Sequence, residues 1–266
     1  LNNNSSYPKL MSAEITLVNP FTETALQEAP LGLVDNNQSA VFPYKNGAYR
    51  IVPEDNYTQN FGYQWNKFAA TQIDREQKNS QVSHSRFFAV TGWDKENLRD
   101  KNILEVGSGA GRFTQIVLDH TKANLYSVDY SNAVEANFKN NGHHKNRLHL
   151  FQASAYEMPF AKASFDKVFC FGVIQHTPDV KKTVQSLIAM AKPGAEVIVD
   201  FYCVNGWWTK LQAKYIFRPI TKKWSNEKLL NTIEKIVDWM IAATTFFNKI
   251  GIGRFVNRFI PICDIK

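Results

Sequence analysis

The chain has 266 residues, 44% hydrophobic and 21% charged, with a formal net charge of +7; this is the composition of a folded protein with room for one substantial α/β domain plus additions, and it excludes disorder as the leading description. No apolar run approaches the roughly 18 residues of a membrane-spanning helix, and the polar start LNNNSSYPK lacks the order of a signal peptide, so a soluble, cytoplasmic protein is expected. The cysteines, Cys170, Cys203 and Cys263, lie far apart with no CxxC pair, which supports neither a disulfide framework nor a zinc knuckle.

Residues 1–55 read as a small β-rich extension that ends in VFPYKNGAYRIVP, where Asn46-Gly47 between apolar-aromatic runs is a hairpin signal. Residues 56–100 read as lead-in helices: Phe61, Trp65 and Phe68 fall on one face of a helix, and SRFFAVTGW follows.

From 101 to 203 short apolar runs alternate with amphipathic stretches, the pattern of βαβ units and a mostly parallel sheet. Strands are expected at Asn102–Val106, 124–128, Leu148–Gln152, 167–171 and 196–201. A helix beginning near Asp179, with Val180, Val184, Leu187, Ile188 and Ala191 on its apolar face, is expected to run to Pro193-Gly194.

The first strand leads into ILEVGSGAGRFT, residues 103–114, with glycines at 107, 109 and 111. A strand, a glycine-rich turn and a helix bring backbone N–H groups close to a ligand. A pyrophosphate-binding loop follows GxGxxG/A, but here the third glycine comes one residue early and Arg112 occupies the small-residue position. The GxGxG form, preceded by Glu105, suits a cofactor with a cationic amino acid end and no phosphate, such as S-adenosylmethionine. At the end of the second strand, 22 residues after Gly107, Asp129 in SVDYS is placed to accept two ribose hydroxyls; the plain alternative is a turn-forming aspartate before a helix.

The order ILEVGSGAGRFT, SVDYS, QASAYEMPF, SFDKVFCFGVIQHTPD and AKPGAEVIVDFY, over about residues 101–202, resembles the class I S-adenosylmethionine-dependent methyltransferases. The resemblance implies a Rossmann-like sheet. It also implies that Glu105, Gly107, Ser108, Gly109 and Gly111 surround the methionine portion, that Asp129 holds the ribose with Tyr130 beside the adenine, and that Gly172 belongs to the cofactor set. Ser154 stands where the family commonly has an aspartate, so Ser154 and the Ala155 backbone are expected to meet the adenine amino group more weakly. FGYQW resembles the family's lead-in helix, which folds over the cofactor, so Tyr63, Gln64 and Trp65 are candidates to line the methyl-bearing pocket; the alternative is an aromatic face buried as core. VFPYKNGAYRIVPEDNY resembles the last hairpin of a zinc-ribbon-like module that precedes some bacterial methyltransferase domains. Residues 1–60 contain no cysteine or histidine, so no metal is expected there.

His176, just after the fourth strand, is the candidate general base for a hydroxyl acceptor, with loop capping or cofactor contact as the alternative. Residues 204–266 carry all of the net +7, since 1–100 carry −2 and 101–203 carry +2, and they are rich in aromatics such as Trp207, Trp208, Trp239, Phe246, Phe255 and Phe259. This helical segment suits an anionic membrane surface or a lipid-linked acceptor; the alternative is a helical insert with its aromatics packed inward. It accompanies no recognisable nucleic-acid module. No sequence for the last two strands of the family's sheet follows 203, as expected of a fragment or a shortened variant. The function expected is methyl transfer from S-adenosylmethionine to a small-molecule, sugar or lipid-linked acceptor. The alternatives are a protein or RNA methyltransferase and a catalytically lapsed cofactor-binding module.

Overall fold

The computed structural model describes residues 15–36, 41–52, 59–77, 81–202 and 213–256. Residues 1–14 and the expected tail aromatics Trp207, Trp208 and Phe259 lie outside the described residues, as do the side chains of Phe61 and Phe255. The chain divides into two units, Leu1–Tyr202 and Cys203–Lys266.

In the first unit the elements run β1 (Leu26–Ala29), β2 (Gly32–Asp35), β3 (Val41–Lys45), β4 (Ala48–Arg50), α1 (Gln59–Lys67), α2 (Val82–Thr91), β5 (Asn102–Val106), α3 (Arg112–His120), β6 (Asn124–Asp129), α4 (Ala133–Asn141), β7 (Leu148–Gln152), β8 (Phe165–Phe171), α5 (Val180–Met190) and β9 (Ala191–Asp200). They build one sheet in the order β1-β2-β3-β4-β7-β6-β5-β8-β9. The pairs among β1 to β4 are antiparallel, and all pairs from β4 to β9 are parallel.

The turn at Asn46-Gly47 has φ of 49° and 85°, the left-handed pair a two-residue hairpin needs, and Lys45 pairs with Ala48 across it. β4 then joins β7 in parallel, with Tyr49 opposite Phe151 and Arg50 opposite Gln152. The Tyr49 and Phe151 rings stack with centroids 5.3 Å apart, and both side chains are buried. The N-terminal strands therefore continue the main sheet; they do not stand apart as a ribbon.

The pleat of β5 assigns its side chains to two layers. Leu104 and Val106 enter one core with Tyr126, Phe151, Phe165 and Leu187, on the side of α5. Ile103 enters the other with Phe87, Ile116, Leu125 and Val134, under α2, α3 and α4. Burial of a side chain such as Ile103 or Leu104 stabilises by about 2 kcal/mol. Because β5 has β6 on one side and β8 on the other, the connections leave it in opposite directions, and the crevice at the carboxyl ends of β5 and β8 is the topological switch point.

The end of α5 departs from the sequence reading. The helix stops at Met190, three residues before Pro193, and strand begins at Ala191 where 196 was expected. Pro193 disfavours helical backbone at Lys192, and Ala191 is already extended, with φ of −76° and ψ of 136°, and paired opposite Phe165. Beyond β9 no further strand occurs among the described residues; the second unit is helical, with α6 (Ala213–Thr221), α7 (Asn226–Lys249) and α8 (Gly253–Val256). No helix among the described residues is long and apolar enough to cross a membrane.

Candidate cofactor site

The loop after β5 is tied to β6 and to itself. The amide of Gly107 donates to Val128 O at 2.7 Å, and that of Gly111 to Ser108 O at 2.9 Å. Gly107 and Gly111 have φ of 81° and 86°, and neither has room for a side chain. A Cβ on Gly107 would lie 2.2 Å from Val173 Cγ2, and one on Gly111 would lie 2.2 Å from Asn137 Oδ1. Glycine at these positions is thus a requirement of close approach as well as of backbone sign.

Glu105 corrects the sequence reading, which placed it around the methionine portion. It shares the face of Ile103, opposite Ser127 on β6, and so lies beneath the loop and outside the cavity lining. Its Oε2 accepts from Thr114 Oγ1 at 2.5 Å and from Ser127 Oγ at 2.9 Å. Asn137 Nδ2 in turn donates to both hydroxyls, at 2.9 Å and 3.3 Å. Asn141 Nδ2 bridges Asn137 Oδ1 and the Gly111 carbonyl, so this buried network ties α3 and α4 to the loop. Burial pushes the Glu105 carboxyl up to about 7, against the hydroxyl donors that pull it down.

Asp129 ends β6 and links two loops. Its Oδ2 accepts from the Gly109 amide at 2.8 Å, and its Oδ1 from the Ser131 amide at 2.8 Å and the Ser131 hydroxyl at 2.6 Å. Burial raises its pKa, while these donors stabilise the ionised form. Asp129 and Tyr130 both line the cavity. Tyr130 owes its place to residues that sequence reasoning missed. Gln152 Nε2 donates to the Tyr130 carbonyl at 3.3 Å, and buried Arg50, from the N-terminal strands, holds Gln152 Oε1 at 2.8 Å. Ser154 and Ala155, after β7, face the same cavity, and Ser154 Oγ accepts from the Tyr156 amide at 3.1 Å.

Asp129, Tyr130, Ser154 and Ala155 line one cavity of about 650 Å³ together with Gly107, Ser108, Gly109, Gly172, Gln64, Trp65 and His176, whereas Gly111, expected around the methionine portion, is not among the lining residues. Trp65 lies over the loop, where a Cβ on Gly109 would be 3.3 Å from the indole, so this glycine admits the ring. Tyr63 is not among the lining residues; it is exposed, with Lys67 Nζ 5.9 Å from its ring centroid. The sequence set also omitted a charged wall. Arg86 on α2 pairs with Asp200 at 2.5 Å, and Asp200 also accepts from the Gly172 amide. Arg112 Nε donates to Ser83 Oγ at 2.8 Å, and its other guanidinium nitrogens have no hydrogen-bond partner among the described residues. Burial first, then the nearby Arg86 charge, lower the Arg112 pKa. Helix periodicity brings Arg86 and Arg112 together only after α2 packs on α3, so no local pattern marks them. The His176 ring stands 6.5 Å from that of Tyr202, which also lines the cavity.

The residues fit S-adenosylmethionine. Ser108 Oγ is buried at the cavity wall without a hydrogen-bond partner among the described residues, an unmet polar atom that a bound ligand can satisfy. The Asp129 carboxylate is oriented by donors on both oxygens, and Arg112, bonded through Nε alone among the described residues, complements an amino acid carboxylate.

Residues 104–199 match the methyltransferase-domain family. The tRNA U34 carboxymethyltransferase of Nautilia profundicola is 26% identical over 146 residues, 54% of this chain and 47% of that protein. The ubiquinone biosynthesis O-methyltransferase of Coxiella burnetii is 26% identical over 131 residues, 47% of this chain and 55% of that protein. The chain thus spans about half the length of the curated relatives it matches. A solved structure of a candidate S-adenosyl-L-methionine-dependent methyltransferase from Methanococcus maripaludis superposes with a TM-score of 0.46 at 14% identity, covering 78% of this chain and 85% of that one.

Proposed function

We propose that this chain, whose residues 104–199 are a class I S-adenosylmethionine-dependent methyltransferase domain, transfers the cofactor's methyl group to a small-molecule, sugar or lipid-linked acceptor. The observation that carries this reading is the convergence of the glycine loop, Asp129, Ser154 and His176 on one cavity at the switch point, with Trp65 over it. A cavity of about 650 Å³ is of the size that takes small ligands.

When bound, S-adenosylmethionine supplies an electrophilic methyl on a sulfonium. The protein's contribution is alignment: an in-line displacement gains most from holding nucleophile and methyl close and oriented. Asp129 would hold the ribose, the glycine loop would surround the methionine portion, and Arg112 would neutralise its carboxylate, Arg86 being already paired with Asp200. Trp65 and Gln64 cover the site and exclude water. His176 would accept the proton of an acceptor hydroxyl or phenol.

A second reading, transfer to RNA, draws support from the relative named for tRNA carboxymethyl transfer and from the basic segment 204–266. Incubation of the full chain with cofactor labelled in the methyl group, lipid extract and total tRNA separates the two. Label in the organic phase is expected. Label confined to tRNA would overturn the small-acceptor reading, and no calorimetric binding of S-adenosylmethionine at millimolar concentration would overturn both.

A further inference from the structure

Helix α7 buries little of its apolar surface: Ile233 and Ile241, outside the stripe that Ile236, Trp239, Phe246 and Ile250 form, are also exposed, at 45% and 39%. Met240 and Thr244 are buried, as expected of a packing face. Ile236, Trp239, Phe246 and Ile250 are 43%, 71%, 58% and 53% exposed. At about 100° per residue Ile236, Trp239 and Phe246 fall within about 80° of one another around the axis, and Ile250, the residue just past the helix end, follows them in one stripe. Lys228 and Lys235 lie within about 20° of that arc, whereas Glu227, Glu234 and Asp238 lie at least about 80° beyond it. The preceding helix repeats the theme: Ile216, Phe217 and Ile220 of α6 are exposed. Residues 204–226 contain five Lys or Arg and no Asp or Glu.

We infer that α6 and α7 form a docking surface for an anionic lipid bilayer, lying in the interface plane with the stripe of α7 among the acyl chains and its lysines at the headgroups. Charge selects this occupant. A second copy would bring two segments of net +7 together, and a neutral partner would leave the flanking lysines uncompensated. The stripe, two isoleucines with Phe246 and one indole, Trp239, suits the acyl-chain and headgroup levels of a bilayer. A helix too polar to span the bilayer but amphipathic and basic lies on it. The inference is independent of the methyl-transfer reading.

The test is co-sedimentation of the full chain with vesicles of phosphatidylcholine alone or with one third phosphatidylglycerol, across a salt series. Binding to the anionic vesicles only, weakening as salt rises, is expected. Trp239→Ala should weaken it about tenfold at every salt concentration. Lys228→Gln with Lys235→Gln should weaken it roughly 30-fold at low salt and little at high salt, at about one factor of five per lysine. Circular dichroism checks that each variant keeps its helix content. Equal binding to both vesicle types, or to neither, overturns the inference. So does a lipid-free dimer that Trp239→Ala dissociates, which would assign the stripe to a second copy. Salt-sensitive binding to tRNA in preference to vesicles overturns it in favour of a nucleic-acid surface.

Discussion

Replacing Glu105 with Gln tests whether the carboxyl beneath the glycine loop is a titrating part of the fold. Its pKa rises from 4.5 to about 7 because it is wholly buried, despite the hydroxyls of Thr114 and Ser127 that donate to it. Between these values the unfolded chain releases its proton while the folded chain keeps it, so stability falls as pH rises. The favourable contribution is complete below about 4.5 and lost above about 7, on the order of 3 kcal/mol in all. Glutamine keeps the shape and one acceptor but cannot ionise. Urea unfolding near pH 5 and near pH 8 should therefore show a loss on alkalinisation that is smaller in Glu105→Gln by about 2.5 kcal/mol, with the slope m unchanged. All other titrating groups are common to both chains and cancel. Parallel losses in the two proteins would refute the reasoning and place an ionised Glu105 in the fold throughout this range.

The other predictions concern the cavity. Gly107→Ala should destabilise by about 2 kcal/mol or more, because its φ of 81° and the Val173 methyl 2.2 Å from a new Cβ both oppose a side chain; thermal unfolding and cofactor calorimetry read the effect. Asp129→Asn should weaken S-adenosylmethionine binding tenfold or more. Each carboxylate oxygen accepts a backbone amide, from Gly109 or Ser131, so an amide group must set an N–H against one of them. His176→Ala, assayed at saturating cofactor, should lower turnover 100-fold or more if the acceptor atom is a hydroxyl, and retention of most activity would remove it as base. Arg112→Ala should weaken S-adenosylmethionine binding several-fold and leave the binding of adenosine unchanged, since its charge is assigned to the amino acid end; an equal loss for both ligands would contradict that assignment.

The site combines local chemistry with distant supports. The loop after β5 contains its own glycines, but its conformation is held from behind by Asn137 and Asn141 of α4, and its neighbour Tyr130 by Gln152 and, through it, by Arg50 of the N-terminal strands. Loss of the N-terminal extension would thus remove Arg50, the partner of the Gln152 that holds Tyr130, as well as four strands.

Alternating apolar runs, glycine spacing and the Asn46-Gly47 turn were legible in the sequence because each is decided within a few residues by backbone sterics or pleat periodicity. They were enough to predict the parallel sheet, the cofactor loop and Asp129 at the next strand end. The pleat of β5 also turns Glu105 away from the cavity, yet the sequence reading placed it around the methionine portion; the face it uses has meaning only once α3 and α4 cover that side of the sheet. Tyr63 and Trp65 lie two residues apart on one helix, and only docking decided that the indole covers Gly109 while the phenol is exposed. The joining of β4 to β7, the pairing of Arg86 with Asp200 and the early start of β9 at Ala191 depend on segments separated by up to about a hundred residues. No local pattern carries such contacts, because their energy comes from burial and pairing that exist only in the assembled sheet.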